Sequence, residues 1–279
     1  MAYRSFALET TDQIAHLRLN RPEKFNAMDG VFWQELDAIL EQLQRDAPAR
    51  ALVISSSGKH FCAGMDLAVF EQGQAIPEGN AAVRTALHEQ ILQLQRTFSR
   101  LEALRMPVIA AIQGACVGGA LDLVTACDIR YVAQDAFFCV QEINIGLVAD
   151  VGTLQRLPKL IPEAVAREYA YSGRRLPAVR ARELGLANDV FPDQAATLDA
   201  ALVLAREIAG KSPSAVWASK QAINYAREHT VADSLQQMAL LQMGVWQSSD
   251  IMEAVRANAE KRAARFDDLA PVPPFGAAA

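Results

Sequence analysis

The chain has 279 residues, of which 51% are hydrophobic and 21% charged, so it can bury a large core. This composition excludes disordered, collagen-like and disulfide-scaffold proteins. The formal net charge is −5, from 27 basic and 32 acidic residues, and such a balance predicts no nucleic-acid partner and no anionic membrane surface as partner.

The first third of the chain alternates predicted strands with predicted helices. Strands are predicted over 6–9 and 14–19, with a turn between them, and over 51–55. Apolar residues at helical spacing predict a helix that begins after Asn26. A polar stretch over 71–80 contains glycine and proline, which is typical of a surface loop.

The middle of the chain combines a long helix with buried strands. An apolar stripe from Val83 to Leu101 predicts the helix. A second helix is predicted to begin at Gly118-Gly119 and to run to about Cys127. Further strands are predicted over 108–112, 128–132 and 137–140.

After Asp150 the pattern becomes helical and the strand signal nearly disappears. Gly173, Gly185 and Gly210 occupy positions typical of helix C-terminal caps, and Asp193 and Ser212 occupy positions typical of helix starts. The predicted helices cover 152–160, 162–172, 177–184, 195–209, 213–227, 231–246 and 248–265.

The chain contains four cysteines, Cys62, Cys116, Cys127 and Cys139. Each lies in an apolar run, as buried free thiols do. None forms a CxxC pair and no histidine lies at zinc-ligand spacing, so we predict no metal site. Reduced thiols and an N-terminus without a signal-peptide pattern favour a cytoplasmic location. An uncharged run from Met106 to Leu121 is too short for a membrane span.

Two turns made of small residues are candidates for presenting backbone N–H groups. One covers Gly114 to Asp122 and precedes a predicted helix, and the other covers Phe61 to Asp66 and follows a strand. Two converging N–H donors are what an oxyanion hole requires. Taken alone, each turn is equally consistent with close packing or with an ordinary change of chain direction.

Three acidic residues, Asp122, Glu142 and Asp150, lie in largely apolar surroundings. Burial raises the pKa of a carboxyl group, which suits proton exchange near neutral pH. A helix cap or a buried ion pair is the alternative interpretation for each. No dinucleotide motif, P-loop or GxSxG elbow is present. The histidines, His16, His60, His88 and His229, are interpreted as surface or core residues.

Four motifs, in this order along the chain, resemble the crotonase (enoyl-CoA hydratase/isomerase) superfamily. They are NRPEKFNAM over 20–28, HFCAGMD over 60–66, PVIAAIQG over 107–114 and GGALDL over 118–123. Three segments within 127–158 resemble one subfamily in particular, the Δ3,5-Δ2,4-dienoyl-CoA isomerases. They are CDIRY, QDAFF and GLVADVGTLQRLP.

The resemblance implies an α/β fold, a spiral of ββα units followed by a C-terminal α-helical trimerisation region. We therefore expect a core over 1–190 with the acyl-CoA site, a helical oligomerisation region over 191–270 and a loose tail over 271–279. Homotrimers, often paired into hexamers, are the implied assembly. An apolar cluster late in the chain agrees with this, because a helix apolar on most sides must be covered. Its members are Met238, Leu240, Leu241, Met243, Val245 and Trp246.

The resemblance also implies roles for residues of the site. Asp122, Glu142 and Asp150 fall on the three acidic positions of the isomerases, whereas a typical hydratase has Glu at the first two and does not use the third. Backbone N–H groups of Met65 and Gly119 are the implied oxyanion hole. The implied residues for CoA binding are Lys24, Ala63, Asp66, Leu67 and Lys261.

The implied reaction is conversion of a 3,5-dienoyl-CoA to a 2,4-dienoyl-CoA in fatty acid β-oxidation. A fatty acyl-CoA thioester is the expected partner, and no cofactor is expected because CoA is part of the substrate. Two alternatives remain open: a 2-enoyl-CoA hydratase with an altered first acid, and a non-catalytic homologue that binds RNA or a protein. A serine protease on a related fold is disfavoured, since the turns lack a Ser/His/Asp set.

Overall fold

The computed structural model describes residues 3–71 and 80–273. Its strands are β1 (Phe6–Thr11), β2 (Ile14–Leu19), β3 (Ala51–Ser56), β4 (Val108–Ile112), β5 (Ala115–Val117), β6 (Ile129–Ala133), β7 (Phe137–Cys139), β8 (Leu176–Pro177) and β9 (Asp189–Phe191). Its helices are α1 (Gly30–Asp46), α2 (Ala68–Glu71), α3 (Ala81–Ala103), α4 (Gly119–Thr125), α5 (Thr153–Leu160), α6 (Glu163–Ser172), α7 (Ala178–Leu184), α8 (Gln194–Ala209), α9 (Pro213–Ala226), α10 (Val231–Val245) and α11 (Ser248–Ala259). Two short 3-10 helices cover Pro22–Lys24 and Glu142–Ile145.

Most strands form one mixed sheet. Its order is β1-β2-β3-β4-β6-β9 in the described residues. Only the β1–β2 pair is antiparallel there, and the other pairs run parallel. Every residue of β3 is buried, as expected for a central strand that is covered on both faces.

Alternate residues of the sheet face two different cores. One face packs on α1 and α3, whose apolar stripes contribute Leu36, Ile39 and Phe98. The other face packs on α8, where Ala201 and Ala205 allow close approach. The first helix of the predicted 191–270 region therefore belongs to the packing of the core sheet.

The second sheet is small and lies beside the site. Its order is β5-β7-β8, with β5 parallel to β7 and β8 antiparallel to it. The chain reaches α4 from β5 and the Glu142–Ile145 helix from β7. This small sheet therefore fixes where both segments begin.

Several predicted elements are confirmed and several need correction. The long helix and the strand over 108–112 are confirmed, as are the left-handed caps at Gly173 and Gly185. Gly210 ends α8 in a right-handed conformation instead. The predicted helix over 248–265 ends at Ala259. The strands β5, β8 and β9 were not predicted, because each is only two or three residues long.

The start of α1 also differs from the prediction. The helix begins at Gly30, and the carboxylate of Asp29, not Asn26, accepts an N–H from its first turn. Asn26 is buried, and its side-chain amide donates to the carbonyls of Ser57 and His60 at 2.9 and 3.1 Å. This asparagine therefore ties the 20–28 motif to the 60–66 motif.

The C-terminal helices carry much exposed apolar surface. No residue of α10 is buried in the single chain. Met243 is 80% exposed, Leu240 66% and Trp246 63%. The N–H of Val272 donates to the carbonyl of Arg45 at 2.7 Å, so the start of the predicted loose tail is attached to α1. Residues 274–279 of that tail, and 72–79 of the predicted loop over 71–80, lie outside the described residues.

The four cysteines are free and buried, as predicted. Within 3–71 and 80–273, no helix has both the length and the apolar character needed to cross a membrane. The same residues contain no group of three or more His, Cys, Asp or Glu side chains arranged to hold a metal ion.

Candidate active site

The two small-residue turns converge, as the sequence predicts. Gly64 has a φ of +83°, and a Cβ atom there would lie 2.7 Å from the carbonyl oxygen of Val117 and 3.4 Å from the nitrogen of Gly119. Only glycine permits so close an approach of two backbones. Cys62 and Cys116 form a parallel bridge directly beside this contact.

The N–H groups of Met65 and Gly119 are available to a ligand. Gly119 is the first residue of α4, where an N–H has no partner within the helix. Among the described residues, the N–H of Met65 donates to no backbone oxygen, although its neighbours in sequence are fixed: Met28 donates to the carbonyl of Gly64, and Asp66 donates to that of Met28. These two N–H groups, on turns that meet at Gly64, are therefore the candidates for an oxyanion hole.

A cavity of about 1250 Å³ opens beside these donors. Met65 and Gly119 line it together with Glu142 and Asp150. The apolar part of the wall comes from α3 and from the segment before α5, with Leu87, Ile91, Leu94, Leu147, Val148 and Val151. The cavity can therefore hold a ligand with a polar carbonyl and an extended apolar chain.

Glu142 is the acidic group next to the oxyanion turn. A Cβ atom at Gly118, whose φ is +58°, would lie 3.2 Å from Oε1 of Glu142. Burial raises the pKa of Glu142 to about 7, and the negative charges of Asp122 and Asp150 act in the same direction. A carboxyl group with that pKa can accept or return a proton at neutral pH.

Asp150 lies at the exposed side of the cavity, just before α5. Its backbone carbonyl accepts a hydrogen bond from the side-chain amide of Gln95 at 2.6 Å, which fixes this position to α3. Partial burial raises the pKa of the Asp150 carboxyl group. The cavity thus carries two carboxyl groups, both with raised pKa values, on separate segments.

Asp122 is completely buried and does not line the cavity. Its Oδ1 accepts the backbone N–H of Thr153, the first residue of α5. Its Oδ2 has no hydrogen-bond partner among the described residues. Burial raises the pKa of Asp122 to about 6. Asp122 is therefore linked to the cavity by its hydrogen bond to the start of α5 and by the effect of its charge on Glu142.

The residues predicted to bind CoA divide into two groups. Ala63 and Leu67 line the cavity, whereas Lys24, Asp66 and Lys261 do not. The carboxylate of Asp66 is engaged within the chain, where it accepts the N–H of Ala68, the first residue of α2, at 3.1 Å. Lys24 and Lys261 are exposed to solvent, and their contact with CoA stays a prediction.

Two titratable residues that line the cavity were not predicted as site residues. His60 was interpreted as a surface or core residue, but it lines the cavity, and its Nδ1 accepts the N–H of Ala115 at 3.1 Å. Arg175 lines the cavity from the end of the turn after α6. The available signal was the position of His60 within the 60–66 motif, whereas nothing near Arg175 in the sequence points to the site.

The chain belongs to the enoyl-CoA hydratase/isomerase family, whose sequence pattern it matches over residues 9–269. It is 47% identical over 252 residues to the human mitochondrial Delta(3,5)-Delta(2,4)-dienoyl-CoA isomerase, covering 89% of this chain and 77% of that protein. It is 38% identical over 263 residues to the peroxisomal Delta(3,5)-Delta(2,4)-dienoyl-CoA isomerase of Arabidopsis thaliana, covering 93% and 95%.

The fold is also similar to solved structures of the same family. A crystal structure of an enoyl-CoA hydratase from Bacillus anthracis superposes with a TM-score of 0.85 at 31% identity, covering 94% of this chain and 99% of that one. The predicted crotonase-type α/β fold is therefore confirmed. The two isomerase relatives are named as mitochondrial and peroxisomal, so the cytoplasmic location stays a prediction.

Proposed function

We propose that the protein converts a 3,5-dienoyl-CoA to the 2,4-dienoyl-CoA. Glu142 takes a proton from C2, and the electron pair spreads from the thioester oxygen to C6. Asp150 gives a proton to C6, which leaves double bonds at C2 and C4. One proton is removed and one is added, so the substrate keeps its atoms and its oxidation state.

The thioester oxygen becomes negative when the C2 proton leaves. In this mechanism it accepts hydrogen bonds from the N–H groups of Met65 and Gly119, whose turns lie against each other at Gly64. Such fixed donors stabilise the enolate without reorganising during the reaction. The proposed chemistry is a proton relocation, so it uses no metal or redox cofactor.

The observation that carries the proposal is the pair of carboxyl groups in one cavity. Glu142 and Asp150 both line it, and the pKa of each is raised. C2 and C6 are four bonds apart, so two acids on separate segments serve them better than one. The names of the isomerase relatives support the same substrate class.

The buried position of Asp122 disfavours the hydratase alternative. A hydratase of this family would hold a water molecule between its first and second acids, here Asp122 and Glu142. Asp122 has no exposed surface and does not line the cavity. A water molecule in the cavity therefore has only Glu142 of this pair to activate it.

Ultraviolet absorbance tests the proposal. The purified protein is incubated separately with a 3,5-dienoyl-CoA and with a 2-enoyl-CoA. We expect the first to gain the absorbance of a dienoyl thioester, in which the double bonds are conjugated with the carbonyl, and the second to change slowly or not at all. Rapid loss of the 2-enoyl absorbance with no reaction of the dienoyl substrate would contradict it.

A further inference from the structure

One wall of the cavity carries a positive charge. Arg175 is the only arginine or lysine among the described residues that line the cavity. In the described ranges, no carboxylate lies within ion-pair distance of its guanidinium group, whereas the adjacent Arg174 pairs with Glu168 at 3.4 Å. Arg175 is therefore a cation that faces the cavity without a protein anion to neutralise it.

The position of this cation is fixed by an aromatic ring. The guanidinium carbon lies 4.4 Å from the centroid of the Phe137 ring, a cation–π contact. Burial lowers the pKa of His60, and the positive charges of Lys59 and Arg175 act in the same direction, while the negative charge of Asp135 opposes them. Two cations and one carboxylate therefore act on His60, which leaves a positive local charge beside this wall of the cavity.

The register of the small sheet separates this cation from the carboxyl groups. Phe137 lies opposite Ala115, and both β5 and β7 run from this level towards the oxyanion turn. Ala115, which is paired with Phe137, lies three residues before Gly118, and three residues of a strand span about 10 Å. Glu142 follows the other end of β7. The cavity thus has a cationic end, central N–H donors and an acidic end.

We propose that Arg175 binds a phosphate group of the CoA moiety and so sets the direction in which the thioester enters. This inference rests on the proposed function, because it assumes a CoA thioester as the substrate. With the carbonyl at Met65 and Gly119, the CoA moiety extends towards Arg175 and the acyl chain towards Glu142 and Asp150. Arginine suits this role, since its planar fork of N–H donors matches phosphate oxygens.

Calorimetric binding of CoA tests the role without needing any turnover. Arg175→Gln removes the charge and keeps most of the side-chain length, and Arg174→Gln is the matched control at the neighbouring exposed position. We expect Arg175→Gln to weaken CoA binding about tenfold, the scale of a lost charge-assisted hydrogen bond. Arg174→Gln should change it less than twofold.

Truncated ligands identify the group that is bound. Pantetheine, which has no phosphate, should bind equally to the wild type and to Arg175→Gln. Dephospho-CoA, which lacks the 3′-phosphate, separates the two sources of phosphate. If wild type still binds it more tightly than Arg175→Gln does, Arg175 contacts the diphosphate. If the two proteins bind it equally, Arg175 contacts the 3′-phosphate. The inference would be overturned if wild type and Arg175→Gln bound CoA with equal affinity. It would also be overturned if Arg175→Gln weakened the binding of pantetheine as much as that of CoA.

Kinetics separate this inference from the proposed function. If the isomerase activity is present, Arg175→Gln should raise KM for the dienoyl-CoA about tenfold and leave kcat within about twofold. A lowered kcat with an unchanged KM would overturn the inference. If the wild type fails to isomerise the dienoyl substrate, the proposed function is wrong, and the CoA calorimetry still decides the role of Arg175.

Discussion

Glu142 and Asp150 differ in exposure, and this difference fits two distinct tasks. Glu142 is partly buried beside the oxyanion turn, where its pKa is raised to about 7. Asp150 lies at the open side, where it can exchange protons with solvent between turnovers. In the proposed mechanism each turnover would leave a proton on Glu142 and remove one from Asp150, and exchange of protons with solvent at the exposed Asp150 would help to restore both.

Removing either acid should lower kcat by roughly 10²–10⁴-fold, the usual contribution of a general acid or base. Glu142→Gln and Asp150→Asn are close in shape to the native side chains and serve as controls for each other. Deuterium exchange at C2 of the substrate, followed by NMR, should persist in Asp150→Asn and be lost in Glu142→Gln. The opposite ranking would reverse our assignment of the acids.

The buried charge of Asp122 should be visible in the pH dependence. The acid limb of kcat/KM requires Glu142 as a carboxylate and should have an apparent pKa near 7. Asp122→Asn removes a negative charge that raises the pKa of Glu142, so this limb should move to lower pH. An unchanged limb in a folded Asp122→Asn protein would show that Asp122 does not act through its charge.

Candidate site residues can be proposed from the sequence where their chemistry contrasts with the residues around them. The three acids stand out because they interrupt apolar runs, and the glycines at 64, 118 and 119 stand out because of their spacing. Arg175 could not be predicted, because its contact with the cavity depends on the pairing of β8 with β7. The buried position of Asp122 behind the wall likewise depends on how α4 packs against α5.

The start of α4 supplies one of the two N–H groups of the proposed oxyanion hole. Gly119→Pro removes the N–H donor at the first helical position, where proline suits the helix. It should cost about 2.7–4 kcal/mol of transition-state stabilisation, which lowers kcat by 10²–10³-fold.

Gly119→Ala is the matched control, because it keeps the donor. A Cβ atom at this position, which both variants carry, would lie 3.0 Å from the Sδ of Met28. Circular dichroism checks that both variants fold. A folded Gly119→Pro protein with activity close to that of Gly119→Ala would remove this N–H from the mechanism.

Elements were predicted well where burial dictates their pattern. The strand β3 is buried on both faces and reads as a continuous apolar run, and α3 has a clear apolar stripe. The short strands β5, β8 and β9 carry no such pattern, since their pairing is imposed by the segments around them. Of these, β5 and β8 belong to the small sheet that carries Arg175 at its edge, so this part of the site was not visible in the sequence.

At the scale of the whole molecule, the C-terminal helices present an apolar surface that a single chain leaves uncovered. The helices α10 and α11 contribute Leu235, Leu240, Met243, Met252 and Val255, and Trp246 lies between the two helices; each is at least 60% exposed. Large exposed apolar patches mark interaction surfaces. We propose that they are covered in a homotrimer or a pair of trimers, since closed symmetry is the common outcome.

Light scattering at micromolar concentration tests this assembly. We expect a mass near three or six times the chain mass of 30.4 kDa. Replacing Leu240 and Met243 together by Glu should lower the mass, because charges on this face oppose its burial. Replacing the exposed polar residues Gln236 and Gln237 of the same helix by Glu is the control. A monodisperse wild-type mass near 30.4 kDa would contradict the proposed assembly.

In the proposed mechanism one proton leaves C2 and another is delivered to C6 within one cavity. Conversion of a 3,5-dienoyl-CoA in deuterium oxide, with the product analysed by NMR, tests this directly. We expect a 2,4-dienoyl-CoA that carries deuterium at C6 and has no added hydroxyl group. A 3-hydroxyacyl product, or a dienoyl substrate recovered without change, would contradict it.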